Sequence, residues 1–195
     1  LDDSDNDGLY NYEDEDLDGD GLINKSDECP NISGLKDFKG CQEMQITNEW
    51  IKIGWGKFYM GGEEKYASPE HKVILSPFLI QKFEVTNEEY AAFINNYGND
   101  CSGHPCYEGF PLTFDNDDQI LAKNHLDKVP VAYVTWHGAQ AFCKKLGGDL
   151  PTEAQWEKAA RGSDGRTYPW GNTAPDQNRL NFGNFVGDTT EVGKY

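Results

Sequence analysis

The chain has 195 residues, of which 37% are hydrophobic and 26% are charged, and its 34 acidic and 17 basic side chains give a net charge of -17. This composition excludes collagen and coiled coils, and the length limits the chain to one ordinary domain plus a small module. The acidic surplus repels nucleic acid, and no apolar run reaches the ~18 residues that a membrane-spanning helix needs.

The acidic residues are concentrated at the beginning of the sequence. Residues 1–28 contain 12 Asp or Glu and one Lys, so this short segment carries most of the net charge. Within it, a pattern of alternating aspartates, glycine, leucine and asparagine occurs twice in the same register. The first loop comprises Asp3, Asp5, Asp7, Gly8, Leu9, Asn11 and Asp14, and the second loop comprises Asp16, Asp18, Asp20, Gly21, Leu22, Asn24 and Asp27.

Each loop presents the ligands that calcium prefers. Side-chain oxygens stand at the first, third, fifth, ninth and twelfth positions of the loop, and glycine allows the sharp turn at the sixth position. At the seventh position, the main-chain carbonyl of Leu9 or Leu22 provides a further oxygen ligand. A solvated acidic linker is the alternative, and it does not explain two copies in register. The loops are not paired EF-hands, because they abut without flanking helices and end in Asp instead of Glu. The sequence therefore predicts that both loops bind calcium.

The segment that follows extends this pattern into a family resemblance. With Asp27-Glu28-Cys29-Pro30-Asn31 and Gly40-Cys41, residues 1–42 resemble the thrombospondin type-3 repeats of animal matrix proteins and bacterial outer-membrane linkers. The resemblance implies that calcium ions largely replace a hydrophobic core and that the repeats act as a spacer or stalk. It also implies a disulfide between Cys29 and Cys41.

The cysteine inventory indicates an oxidising environment, because two pairs are close enough in sequence to close small loops. The Cys101–Cys106 pair is interpreted as a loop staple, and a redox or metal role with His104 is the alternative. Zinc is not favoured, because no C-x-x-C is present and the histidines lack ligand spacing. A nucleophilic pair of Cys143 and His137 is excluded, because six residues on a helix place them ~120° apart.

The second region begins with β-prone stretches and a helix. Residues 72–75 and 78–85 are divided by Ser76-Pro77, which predicts a hairpin or two edge strands. Thr86 and Glu89 form a capping box for a helix that ends at Gly98. Its predicted core stripe is Tyr90, Phe93, Ile94 and Tyr97.

A long loop and two further helices follow. Residues 99–129 need tethers, for which Cys101–Cys106 and Ile120-Leu121 are candidates. A second helix is capped by Thr135, ends at Gly147-Gly148 and carries the apolar stripe Ala139, Phe142, Cys143 and Leu146. A third is capped by Thr152 with Gln155, ends at Arg161-Gly162 and is predicted to bury Trp156, Ala159 and Ala160. The tryptophans Trp136, Trp156 and Trp170 are interpreted as a shared core, with a ligand cage as the alternative.

From Arg161 onward, little regular structure is expected, with compact turns at residues 168–172 and 181–184.

Motifs throughout this region resemble the formylglycine-generating-enzyme (sulfatase-modifying factor) family from residue 46 to 195. They are Phe58-Tyr59-Met60-Gly61, Phe83-Glu84-Val85-Thr86-Asn87, Pro130-Val131, Ala141-Phe142-Cys143, Leu150-Pro151-Thr152-Glu153-Ala154-Gln155-Trp156 and Tyr168-Pro169-Trp170-Gly171-Asn172. The resemblance implies an α+β fold, an irregular C-type-lectin-like domain over residues 43–195 that is incomplete at its C-terminus. The calcium-stabilised loop-repeat module of residues 1–42 precedes it.

The resemblance also bears on chemistry. In the family's oxidases, two copper-binding cysteines convert a substrate Cys to formylglycine, and they lie in a half of the domain that follows the stretches matched here. We therefore assign no catalytic residue and expect Cys143, whose partner in some members lies near the domain's end, to be unpaired. Family members also bind structural calcium after the Tyr-Pro-Trp-Gly stretch, which implies ligands from Asn181, the Phe182 carbonyl and Asp188. An Asn-rich turn without metal is an equally weighted alternative.

Three functional hypotheses follow. The favoured one is a calcium-binding bacterial protein that is secreted or anchored at the cell surface, for example at the outer membrane. It presents a non-catalytic family domain to surface proteins, glycans or copies of itself. The alternatives are an oxidase whose catalytic half lies outside this chain and a structural subunit of a surface filament. Leu1, which lacks a preceding Met or signal peptide, suggests a processed or partial chain.

Overall fold

The computed structural model describes residues 5, 7, 9–10, 14–27, 49–62, 69–109, 112–114, 120–122 and 125–195. Asp3, Asn11 and the predicted Cys29–Cys41 disulfide lie outside the described residues. The chain forms two compact units. The first is drawn from Leu1–Ile46, Thr86–Asp127 and Val131–Phe142, and the second from Thr47–Val85, Lys128–Pro130 and Cys143–Tyr195. No helix in the described ranges is long and apolar enough to cross a membrane.

The described regular structure is a mixture of short strands and short helices, as predicted. The strands are β1 (Trp50–Ile53), β2 (Gly56–Met60), β3 (His71–Leu75), β4 (Phe78–Gln81), β5 (Leu112–Phe114) and β6 (Ile120–Ala122). The helices are α1 (Asn87–Tyr97), α2 (Trp136–Lys145) and α3 (Glu153–Arg161). Residues 162–195, all of which are described, contain neither helix nor strand, which confirms the expected loop-rich region.

The strands form antiparallel pairs, β1 with β4, β2 with β3, and β5 with β6. The stretches on either side of Ser76-Pro77 are therefore strands of two different pairs, and a hairpin between them is wrong. Pro77 fixes its own φ and biases Ser76 toward an extended backbone, which disfavours a tight reversal at this point. The chain continues in β4 and pairs instead with β1.

Helix α1 matches its prediction because its signals are local. The Thr86 hydroxyl accepts from the Glu89 N–H at 3.2 Å while the Glu89 carboxylate accepts from the Thr86 N–H at 3.0 Å, and Gly98 is the C-cap. Further along, the Asn95 amide donates to the Ile120 carbonyl at 2.8 Å and accepts from its N–H at 2.7 Å. This pair of bonds is the predicted tether of the long loop.

The core of the first unit is built around aromatic rings. The ring centroids of Tyr90, Phe93 and Phe142 lie 5.4 to 5.6 Å apart, and all three side chains are buried. The Tyr90 hydroxyl donates to the Cys106 carbonyl at 2.9 Å. A Cβ on Gly138 of α2 would lie 2.0 Å from that carbonyl oxygen, so only glycine lets the helix approach so closely.

Helix α3 has the predicted capping box, but its buried face differs from the prediction. Trp156 is 62% exposed, the two alanines beside the end of the helix are half-buried, and Lys158 is 7% exposed. The Lys158 ammonium donates to the carbonyls of Gly54 and Gly56 at 2.8 and 3.2 Å. Since a buried ammonium requires acceptors, the turn between β1 and β2 determines which face of α3 is covered.

The predicted tryptophan core is wrong. Trp136 is 61% exposed, like Trp156, and Trp170 is half-buried within its own turn. There it stacks on Tyr168 with centroids 5.2 Å apart, and its indole N–H donates to the Thr173 carbonyl at 2.9 Å. An indole can satisfy its N–H and part of its ring locally, so aromatic content alone does not predict a shared core.

Candidate metal centre

The second aspartate loop gathers three carboxylates at one point. One oxygen each from Asp16, Asp18 and Asp20 lies within 4.8 Å of the other two. The backbone N–H groups of Gly21 and Leu22 donate to Asp16 and Asp20 at 2.9 and 2.8 Å, which fixes how these side chains point. Gly21 has a φ of 88°, a conformation that favours glycine and explains the residue at the sixth position.

The first loop forms a similar group from residues that are farther apart in sequence. Oxygens of Asp5, Asp7 and Asp14 lie within 4.8 Å of one another. The N–H groups of Asp7 and Leu9 donate to Asp5 and Asp7 at 3.1 and 2.7 Å, in turns of the same kind. The structure therefore places Asp14, the last position of the first loop, beside its third and fifth positions as the spacing predicts.

The geometry of both groups is compatible with one calcium ion each. Oxygens bound at about 2.3 to 2.6 Å from an ion are at most about 5 Å apart. Without a cation, carboxylates at ~4 Å repel one another by about 1 kcal/mol per pair in water and more where water is excluded. One oxygen each of Asp14 and Asp16 is buried and accepts no hydrogen bond from the described residues. A bound cation would offset the repulsion between the carboxylates and would coordinate these two buried oxygens.

Two residues connect the loops to each other. Asp5 packs against Gly19, where an added Cβ would lie 2.6 Å from the Asp5 Oδ2. The Asn24 side chain accepts from the Leu17 N–H at 3.0 Å and donates to the Asp14 carbonyl at 3.1 Å. Asn24, predicted as a ligand, thus uses its amide to brace the backbone around the two groups.

Sequence reasoning missed the contact of Gly19. The signal is a departure from the repeat, since the second loop has Gly19 at its fourth position where the first loop has Asn6. Asp27 was predicted to close the second loop, and it lies outside the group formed by Asp16, Asp18 and Asp20. Leu22, a predicted carbonyl ligand, lies in the turn of that group.

The predicted C-terminal calcium ligands are brought together only in part. The Asn181 amide donates to the Asp188 main-chain carbonyl at 2.8 Å, and the Asp188 carboxylate accepts from the Thr189 N–H at 2.7 Å. The Phe182 carbonyl accepts from the Phe185 N–H at 3.3 Å within a turn. A calcium site at these residues stays a prediction, with the Asn-rich turn without metal as its alternative.

The sequence profile of the sulfatase-modifying factor enzyme 1-like domain matches residues 36–191. The chain belongs to this family. The resemblance to this family is thereby confirmed, and the match begins within residues 1–42, which were predicted to form the repeats.

Known relatives differ in what they do. The formylglycine-generating enzyme of Thermomonospora curvata is 33% identical over 189 residues, covering 76% of this chain and 62% of the enzyme. The inactive C-alpha-formylglycine-generating enzyme 2 of Bos taurus is 28% identical over 75% of this chain and 61% of its own length. The hercynine oxygenase of Mycolicibacterium thermoresistibile is 32% identical over 68% of this chain and 35% of its own length. The chain therefore spans about three fifths or less of these relatives, which include active and inactive proteins.

The thiols of this family domain are distributed as predicted. Cys101 and Cys106 form a disulfide with an S–S distance of 2.04 Å, and Cys143 is a free thiol. Burial raises the pKa of the Cys143 thiol, and the nearby Asp149 carboxylate raises it further. Cys143 is therefore protonated at neutral pH, which disfavours both nucleophilic attack and metal ligation.

Proposed function

We propose that this chain belongs to a calcium-binding protein of the extracellular space or cell surface. The two aspartate loops bind calcium, and the sulfatase-modifying-factor domain acts as a non-catalytic recognition module. The observation that carries the proposal is the convergence of two groups of three carboxylates, each within 4.8 Å. The Cys101–Cys106 disulfide supports an oxidising compartment.

Thiol chemistry supports the non-catalytic role. Copper(I) prefers soft ligands such as closely placed thiolates. Among the described residues, Cys143 is the free cysteine, and its raised pKa keeps it in the thiol form. The aspartate groups are hard oxygen sites that suit calcium and offer no soft ligand.

Calcium binding is tested by titration calorimetry at fixed ionic strength. We expect two sites, with Asp5→Asn weakening one and Asp18→Asn weakening the other by on the order of tenfold or more, because each removes one negative ligand. Asparagine keeps the oxygen that accepts the backbone N–H in each turn. Exposed Asp127, which belongs to neither group, provides the matched control Asp127→Asn.

Two results would contradict this part of the proposal. One is calcium binding no tighter than to a scrambled peptide of the same acidic composition. The other is an equal loss in Asp127→Asn, because that would indicate a general effect of charge.

A formylglycine-generating oxidase is the second candidate, favoured by the 33% identity to the Thermomonospora curvata enzyme. Incubation with Cu(I) and a Cys-x-Pro-x-Arg peptide, followed by mass spectrometry, separates the two. We expect the mass of the substrate peptide to stay unchanged, because its cysteine thiol is not oxidised. Turnover above that of a Cys143→Ser variant would establish the oxidase and refute the non-catalytic role.

A further inference from the structure

The second unit contains a broad groove of about 730 Å³. One wall is β4 with the chain that follows it, and the other runs from the end of α2 to the first turn of α3. Trp50 and Trp156 line it and remain 46% and 62% exposed. Two large indole rings are thus available at a concave surface instead of being used in a core.

A polar group of the groove is left without a partner. The Nε2 atom of Gln81 is buried and has no hydrogen-bond acceptor among the residues that the structure describes. Gln81 is directly opposite Trp50 in the β1–β4 register, so the two side chains stand side by side on the same face of the pair. A buried donor without an acceptor is costly. A ligand oxygen in the groove would satisfy it once the Gln81 side chain turns its amide toward the opening that it lines.

The charged groups around the groove indicate a neutral ligand. Lys82 pairs with Glu49 at 3.1 Å and Asp149 pairs with Lys144 at 2.6 Å, so these charges are already compensated. Exposed Glu84 adds an acceptor to the lining. The groove therefore offers one unmet donor, one exposed carboxylate and two exposed indole faces, beside the half-buried rings of Phe78 and Phe83.

We propose that this groove binds a neutral oligosaccharide, an inference that rests on the recognition role proposed above. Sugar hydroxyls both accept and donate, which matches the Gln81 amide and the Glu84 carboxylate. The apolar C–H faces of pyranose rings stack on flat, partly exposed indoles such as Trp50 and Trp156. A purely apolar ligand would leave Gln81 unsatisfied.

An extended peptide would also bring carbonyl oxygens to Gln81, and the experiment separates it from a sugar. The whole chain is titrated with neutral hexasaccharides of glucose, mannose, xylose and N-acetylglucosamine, and in parallel with a library of neutral hexapeptides. Binding is followed by tryptophan fluorescence and calorimetry. The variants are Trp156→Ala, Gln81→Leu and, as a matched control, Trp136→Ala, which removes an equally exposed indole from the other unit.

We expect at least one hexasaccharide to bind, with affinity lowered about tenfold or more in Trp156→Ala and Gln81→Leu and unchanged in Trp136→Ala. No binding to any hexasaccharide, binding of peptides alone, or equal losses in Trp156→Ala and Trp136→Ala would each overturn the proposal. Calcium titration of the same variants should match that of the unmodified chain. A failure of sugar binding is therefore distinguishable from a failure of the calcium loops.

Discussion

The contact between Gly19 and Asp5 makes a coupling of the two proposed calcium sites testable. Gly19 has a φ of +67°, and a Cβ at this position would lie 2.6 Å from the Oδ2 and 3.1 Å from the Cβ of Asp5. An L-residue in this left-handed region costs about 1 to 2 kcal/mol, and the added contact costs about 1 to 3 kcal/mol if Asp5 stays in place. In Gly19→Ala, Asp5 must therefore move.

With calcium bound as proposed, the cost of Gly19→Ala should fall mainly on the calcium-bound state, because the ion would hold Asp5 in place whereas the free loops can relax. If about 1.4 to 2.7 kcal/mol is lost on binding, the affinity of the first loop falls about ten- to a hundredfold. The substituted residue belongs to the second loop, so the weakened site is not the one that carries the change. This separation makes the prediction specific.

The assay is calorimetric calcium titration with a fit to two sites, assigned by comparison with Asp5→Asn and Asp18→Asn. Gly147→Ala is the control, because its φ is +79° and none of the described residues has an atom within 4 Å of an added Cβ. We expect the control to keep both affinities. If Gly19→Ala keeps both affinities as well, or weakens only the second loop, the packing of Asp5 on Gly19 does not couple the sites.

Two predictions concern the family domain. Gly138→Ala should lower the free energy of unfolding by about 1 to 3 kcal/mol despite the better helix propensity of alanine, because the new Cβ would meet the Cys106 carbonyl and the Tyr90 hydroxyl at 2.0 and 2.3 Å. Urea denaturation measures this, and a stabilised variant would contradict the packing. Alkylation of Cys143 should be slow at pH 8 and faster in Asp149→Asn, because removing the carboxylate lowers the raised thiol pKa. Equal rates would contradict the contribution of Asp149.

What the sequence predicts well here is what short-range contacts decide. The capping box of Thr86 and Glu89 and the turns of the aspartate loops involve residues two or three positions apart, so spacing alone indicates the geometry. The face of α3 depends instead on Lys158 reaching Gly54, which is 104 positions away in sequence. A helical stripe containing Trp156 does not reveal that a buried ammonium will determine the orientation.

The candidate sites follow the same division. The aspartate spacing predicts the two carboxylate groups, but the bracing role of Asn24 depends on the Leu17 N–H and the Asp14 carbonyl, which the pattern does not specify. The groove beside Trp50 depends on the pairing of β1 with β4, a contact between separate strands that no local motif predicts. Nonlocal pairing therefore limits what can be inferred about ligand sites before a structure is available.

Removal of calcium should unfold the loops because they have little else to stabilise them. Leu9, Tyr10 and Ile23 are 47%, 40% and 49% exposed, so the segment buries little apolar surface of its own. Its described backbone bonds include Asn24 N–H to the Glu15 carbonyl at 2.7 Å, which links the two ends of the second loop. When a metal supplies the folding free energy, a chelator removes it. In hydrogen exchange with EGTA, we expect residues 14–27 to lose protection while the amides of α1, which has an aromatic core, keep theirs. Equal protection of residues 14–27 with and without calcium would refute the view that the ions hold these loops together.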